Sequence, residues 1–227
     1  YEMSASLVGS EMCIRDRDYT DRSFMTDGVA QVSLAFAIDG DTAHFYELTD
    51  TSKTNLIKTR FYGVDTPEST GSVEPWGHAA SDFTEDKLNE ANKNGTIVIT
   101  AAQETYGVPS FDSTGSRYLA LVWVNLTEKN APFETLTLLN LWLVQEGYSY
   151  TKNVNNMPSY EDLFFAAEAQ ARKEKLHLFS DEEDPDYPKG DYEMTTLIEI
   201  KREIEKNLAD STYQNKYNNC LLYTSPS

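Results

Sequence analysis

Cysteine is scarce in this chain: of 227 residues only two are cysteines, Cys13 and Cys220, one close to each end. A disulfide framework needs far more, and the cysteine-free middle fits an extracellular protein built without disulfides. Long apolar runs are also missing. None approaches eighteen residues, so no segment reads as a membrane-spanning helix. There is no internal repeat and no low-complexity tract. Positive charge is short, with 19 Lys and Arg against 37 Asp and Glu and a formal charge of −18. That balance is awkward for a nucleic-acid binder, whose phosphate contacts normally come from Lys and Arg. The surplus is spread along the chain and reads as a solvated acidic surface. It implies weak non-specific binding, with any phosphate recognition confined to a cleft. Arginine is rarest where it matters most: between residues 23 and 171 only Arg60 and Arg117 occur.

What is present is enough for a core. Hydrophobic residues make 40% of the chain and aromatic ones 12%, which excludes a disordered polypeptide. The length suits one domain plus extra segments. Residues 31–38 alternate, placing Val32, Leu34, Phe36 and Ile38 on one face of a strand. Asp39-Gly40 is a hairpin signal, returning the chain through a second strand over 42–48. A polar loop leads to a third over 56–62, and 96–100 and 117–124 make five. Helices are predicted over 76–93, 135–146 and 163–176, the last with a cap at 159–162. His44 reads as a half-exposed strand residue, with no partner histidine nearby to make it a ligand. Five short strands with glycine-rich corners and packed helices predict an α+β fold: a five-stranded OB-type barrel with about three helices.

The organisation predicted from this is a domain over residues 18–180, followed by an acidic, proline-broken linker and a helix over 181–218. In that helix Thr196 and Glu199 form a capping box, and the segment leads toward a further domain or packs back on the barrel. Residues 1–17 and 219–227 fit no element; they resemble translated sequencing-adapter read-through and are expected to be non-native flanks.

The chemistry concentrates between Asp39 and Glu68. Asp39-Gly40-Asp41-Thr42 opens this stretch, and Arg60-Phe61-Tyr62-Gly63-Val64-Asp65-Thr66-Pro67-Glu68 closes it. Carboxylates are the ligands a hard cation takes, so Asp41 and Asp65 suit calcium, or less well magnesium, with the Thr66 carbonyl as a third oxygen. Asp39 is left as a turn former. Arg60 offers a fork that matches two phosphate oxygens, and Glu68 offers a carboxylate able to take a proton from water. Together these read as phosphodiester hydrolysis.

These motifs, in this order, resemble the staphylococcal nuclease (thermonuclease) family. The likeness extends to residues 73–84, similar to that family's first helix, and to Ser116-Arg117-Tyr118-Leu119-Ala120, similar to its second arginine strand. It continues through 138–147 and 167–176. The resemblance implies a calcium-dependent nuclease acting on DNA and/or RNA, monomeric, and extracellular or at the cell surface. It implies that Asp41, Asp65 and Thr66 hold one calcium ion, that Glu68 is the general base, and that Arg60 and Arg117 bind the phosphate. Family members commonly carry Tyr-Gly before the second arginine; here Gly115-Ser116 stands there, with one extra residue in the approach. Thr114 occupies the place of a lysine. Nucleotide recognition is therefore assigned only to Tyr148 and Tyr150, as base-stacking candidates. The alternative is a catalytically inactive OB-fold module that binds nucleic acid or protein and uses calcium structurally.

Overall fold

The computed structural model describes residues 19–103 and 107–186. The expected flanks, the capping-box helix and most of the 181–218 segment lie outside the described residues. A single helical turn, α1 (Phe24–Asp27), leads into the long strand β1 (Val29–Asp39), and the Asp39-Gly40 turn reverses it into β2 (Thr42–Glu47). β3 (Ile57–Phe61) completes a meander, and a two-residue strand β4 (Val64–Asp65) follows. Helix α2 (Gly77–Asn94) precedes β5 (Thr96–Ala101) and β6 (Tyr118–Asn125). The sheet order is β3-β2-β1-β5-β6, and β6 also pairs in parallel with β3, Thr59 facing Tyr118, which closes the barrel. A closed barrel has no free edge to protect.

The interior follows from period-2 alternation where the strands keep one face to water. Ala43 and Phe45 of β2 and Ile57, Thr59 and Phe61 of β3 point inward and are buried. Every residue of β5 is buried, as expected for a strand covered on both faces. Phe24, Phe45, Phe61 and Phe164 are fully buried, and each contributes about 1.5–3 kcal/mol by leaving water.

Three expectations change in detail. The alternation in β1 is interrupted: register shifts fall between Leu34 and Phe36 and between Ala37 and Asp39, so Phe36 and Ile38 point outward. The helix predicted over 135–146 begins only at Leu139. Before it, β7 (Thr137–Leu138) pairs with Trp123 and Val124 of β6, so a sheet ladder takes the Thr-Leu alternation that the expected helix includes. Helix α3 (Leu139–Gln145) is therefore short. The last helix, α4 (Pro158–Glu174), starts earlier than its expected cap; proline at its first position supplies a fixed φ, and Met157 at the cap has no side-chain acceptor. Between α3 and α4, β8 (Tyr150–Thr151) pairs with β4.

Buried Asn140 ties α3 to the barrel. Its amide nitrogen donates to the carbonyls of Tyr62 (2.8 Å) and Ala120 (3.1 Å), and its oxygen accepts from the Val122 N–H (2.8 Å). This satisfies backbone groups where β3 leaves the barrel beside β6, and so fixes the corner from which β4 departs.

Candidate active site

The turn between β1 and β2 is built by its own carboxylates. Asp39 Oδ1 accepts from the Gly40 N–H (2.8 Å), the Ser69 hydroxyl (2.8 Å) and the Ser69 N–H (3.3 Å), which docks the segment after β4 onto the turn. Asp39 is thus the turn residue expected of it. Gly40 is required by closeness: a Cβ there would stand 2.8 Å from Thr66 Oγ1. The Thr84 hydroxyl of α2 donates to the Gly40 carbonyl at 2.6 Å, which joins helix and turn.

Asp41 is 1% exposed. Its Oδ1 accepts from the Thr42 hydroxyl (3.1 Å), and its Oδ2 accepts from the Thr66 N–H (3.2 Å) and pairs with Arg60 Nη2 (2.6 Å). The same Arg60 nitrogen lies 3.0 Å from Asp65 Oδ1. Strand register explains the meeting: Arg60 sits opposite Thr42 across β2 and β3, and β4 brings Asp65 back five residues later. Lys152 Nζ holds the other oxygen of Asp65 at 2.7 Å, and the Asp65 N–H donates to the Ser149 hydroxyl. Burial is the largest influence on the Asp41 carboxyl. It outweighs the Arg60 charge and the Thr66 N–H, and with Asp39 and Asp65 nearby the group is pushed up to about 6. The Thr66 hydroxyl is buried without a hydrogen-bond partner.

Arg117, at the foot of β6, is clamped by Asp112. Its Nε and Nη2 lie 2.8 and 2.7 Å from Asp112 Oδ2, and its Nη1 reaches the Thr42 hydroxyl at 3.5 Å. Thr42 therefore joins the two arginines, donating to Asp41 beside Arg60 while accepting from Arg117. Burial alone would raise the Asp112 carboxyl, but hydrogen bonds from Thr114, Arg117 and the Ser116 N–H hold it at about 2. Glu68 is half-buried on the loop after β4. Its N–H donates to Glu74 Oε2 and its carbonyl accepts from the Glu74 N–H, both at 2.9 Å. A Cβ at Gly77 would lie 2.2 Å from that carbonyl, so the start of α2 presses directly on the Glu68 loop.

Of the expected site residues, Asp41, Asp65, Thr66, Arg60 and Arg117 thus meet in one hydrogen-bonded network, and Glu68 lies one residue from the Ser69 anchor. Tyr148 and Tyr150 flank Ser149, the acceptor of the Asp65 N–H, and their rings pack on other side chains. Tyr148 stacks on His177, with ring centroids 4.0 Å apart, and contacts Phe83. Tyr150 faces Asp65 in the β4–β8 ladder, but its ring meets Phe179 and the Arg172 guanidinium. Asp112, Thr42 and Lys152 were missed by sequence reasoning. Asp112 had a signal, since a Ser-Thr-Gly turn brings it back to Arg117. Lys152 had none, lying 87 residues from Asp65.

The donor set around Asp41 suits a hard cation. It consists of oxygen only, and two carboxylates converge on one nitrogen, one of them so buried that its carboxyl is raised despite that charge. Among the described residues no three His, Cys, Asp or Glu side chains gather as a metal cluster. A third ligand would have to come from the backbone or from solvent.

Among curated proteins, none matches the chain. The family model described as staphylococcal nuclease homologue matches residues 58–181, more than half of the chain. The matched span contains Arg60, Asp65, Thr66, Glu68 and Arg117; Asp41 lies upstream of it. The chain belongs to the staphylococcal nuclease homologue family.

Proposed function

We propose that this protein is a calcium-dependent nuclease that hydrolyses phosphodiester bonds of DNA or RNA. Membership of the family supports a nuclease-type or nucleic-acid-binding function. The observation that carries the finer reading is the chain from Arg117 through the Thr42 hydroxyl to Asp41, which with Asp65 pairs with Arg60.

In this reading Asp41, Asp65 and the Thr66 carbonyl hold calcium. When bound, the ion supplies charge neutralisation at a phosphate oxygen and polarisation of water. Arg60 is balanced here by two carboxylates, and a phosphate becomes its acceptor once those are otherwise satisfied. Arg117, oriented by Asp112, presents its remaining donor edge to the same phosphate. The transition state of in-line attack concentrates negative charge on the phosphoryl oxygens, and two preoriented guanidinium groups stabilise it more than they stabilise the substrate. Glu68 takes the proton of the attacking water as the new P–O bond forms and the ester P–O bond breaks. The hydrogen bonds between Glu68 and Glu74 fix the backbone that carries that carboxylate.

The second reading, a binding module without catalysis, draws on the fact that both arginines are paired with carboxylates. Incubating supercoiled plasmid and a structured RNA with the protein, in calcium or in EGTA, separates the two. Cleavage in calcium alone supports the nuclease. Binding of both polymers without cleavage supports the module.

A further inference from the structure

The acidic run after α4 does not stay in water throughout. Asp181, Glu182 and Glu183 are exposed, while Asp184 is 4% exposed. A stretch that reads by composition as a linker therefore sends one carboxylate inward. Its Oδ2 accepts from the Trp76 N–H at 2.5 Å, and its Oδ1 accepts from the Asp186 N–H at 3.0 Å. Trp76 caps α2 from the left-handed region, at φ 66°, which a bulky side chain seldom adopts unaided. Helix α2 has no acceptor of its own for that N–H. The side chain that would serve is an acid or amide at the third helical position. Ala79 stands there, and the first turn holds no acid. Asp184 supplies the acceptor, and its negative charge suits the start of a helix.

The chain leading to Asp184 is fastened along its course. Lys175 ends α4 in the left-handed region. The Leu178 N–H donates to the Gly147 carbonyl at 3.1 Å, and His177 Nδ1 lies 2.6 Å from the Glu146 carbonyl. The His177 ring meets Trp76 edge to face at 5.0 Å. Residues 175–184 are thus a strap from the end of α4, past the end of α3, to the start of α2. There α2 bears on the Glu68 loop. The Gly77 N–H donates to the Glu74 carbonyl and the Glu74 N–H to the Glu68 carbonyl, both at 2.9 Å. Glu74 Oε2 accepts the Glu68 N–H in return. On its other side the loop is held through Ser69 by Asp39.

We propose that Asp184 is a positioning residue for Glu68: by holding Trp76 it locks the Glu74–Gly77 turn against the loop that carries the general base. The inference rests on the reading of Glu68 given under Proposed function. Asp184 acts only through Trp76, Gly77 and Glu74. Without its carboxylate the strained Trp76 backbone is free to relax, and Gly77 cannot shift without shifting the Glu68 carbonyl against it. A misplacement of about 1 Å is enough to cost a catalytic group roughly 10²-fold.

The test is steady-state cleavage of a labelled oligonucleotide by the full chain in saturating calcium, with calcium affinity measured by calorimetry. Asp184→Ala is expected to lower kcat roughly 10- to 100-fold, with KM and calcium affinity as in wild type. Asp184→Asn keeps a neutral oxygen for the Trp76 N–H and should recover about half of that loss on a logarithmic scale. In a Glu68→Gln background Asp184→Ala should cost less than about twofold, because the group it positions is already gone. Hydrogen exchange should show the Trp76 and Glu74 amides exchanging faster in Asp184→Ala. Should Asp184→Ala fail to fold, Asp184→Asn decides by the same comparison in both backgrounds. A wild-type kcat in the Asp184 variants, a loss confined to KM, or an equal fractional loss in the Glu68→Gln background overturns the positioning role. With Glu68→Gln itself crippled, any of these leaves the general-base reading standing. A Glu68→Gln protein at the wild-type rate overturns that reading and the positioning role together.

Discussion

Replacing Asp112 with asparagine tests the clamp on Arg117. The carboxyl of Asp112 sits at about 2 in the folded protein against an ordinary 3.8. At about 1.36 kcal/mol per pKa unit, that difference corresponds to an upper bound of ~2.4 kcal/mol. Arg117 is 29% exposed and its charge is partly screened, so about 1–1.5 kcal/mol is the expected stability loss in Asp112→Asn at neutral pH. Because the folded pKa is depressed, the contribution is complete above about 4 and is lost as pH falls toward 2. The gap between wild type and variant, read from urea midpoints by circular dichroism, should be equal at pH 7 and pH 5 and fall to roughly half at pH 3. Release of the guanidinium should also slow cleavage by roughly 10- to 100-fold, the scale of a misplaced catalytic group. A variant with wild-type midpoints at pH 7 and wild-type rate would show that Asp112 does not hold Arg117. A gap unchanged at pH 3 would show that its contribution is not electrostatic.

Other substitutions probe the remaining contacts. Arg60→Lys keeps a charge beside Asp41 but loses the fork, and single-turnover cleavage should slow by about 10²–10³-fold. Gly77→Ala forces a methyl against the Glu68 carbonyl; a kcat loss is expected together with about 1–3 kcal/mol of destabilisation, and full activity would mean the loop yields freely. Asn140→Ala removes three buried hydrogen bonds at the barrel corner and leaves the Val122 N–H without its acceptor, and urea unfolding should register a loss of roughly 2–5 kcal/mol.

Much of the barrel was legible because its signals are local. The Asp39-Gly40 turn, the alternation in β2 and β3, and the Gly95 stop after α2 each depend on a few consecutive residues. The site motif was legible for the same reason, since Arg60, Asp65, Thr66 and Glu68 lie within nine residues. What failed to show depends on distant partners. The bulges in β1 exist relative to β2, so the β1 pattern alone still reads Phe36 as a core residue. The helix expected from Thr135 carries the apolar run of α3 back over Thr135-Leu136-Thr137-Leu138, although that stretch alternates as a strand does, and β6 recruits Thr137 and Leu138. Lys152 reaches Asp65 only because β8 pairs with β4, two strands of two residues each, too short to leave a periodic trace. Tyr148 looked available for stacking, but its ring is already occupied by His177 and Phe83.

The most direct test of the nuclease assignment is single-turnover cleavage of a labelled oligonucleotide by wild type and Glu68→Gln, in saturating calcium and in EGTA, with calcium affinity measured separately by calorimetry. The expected result is cleavage by wild type in calcium only, a rate reduced by roughly 10²–10⁴-fold in Glu68→Gln, and equal calcium affinity for the two proteins. Wild-type cleavage that persists in EGTA, or a Glu68→Gln rate equal to wild type, would contradict the assignment.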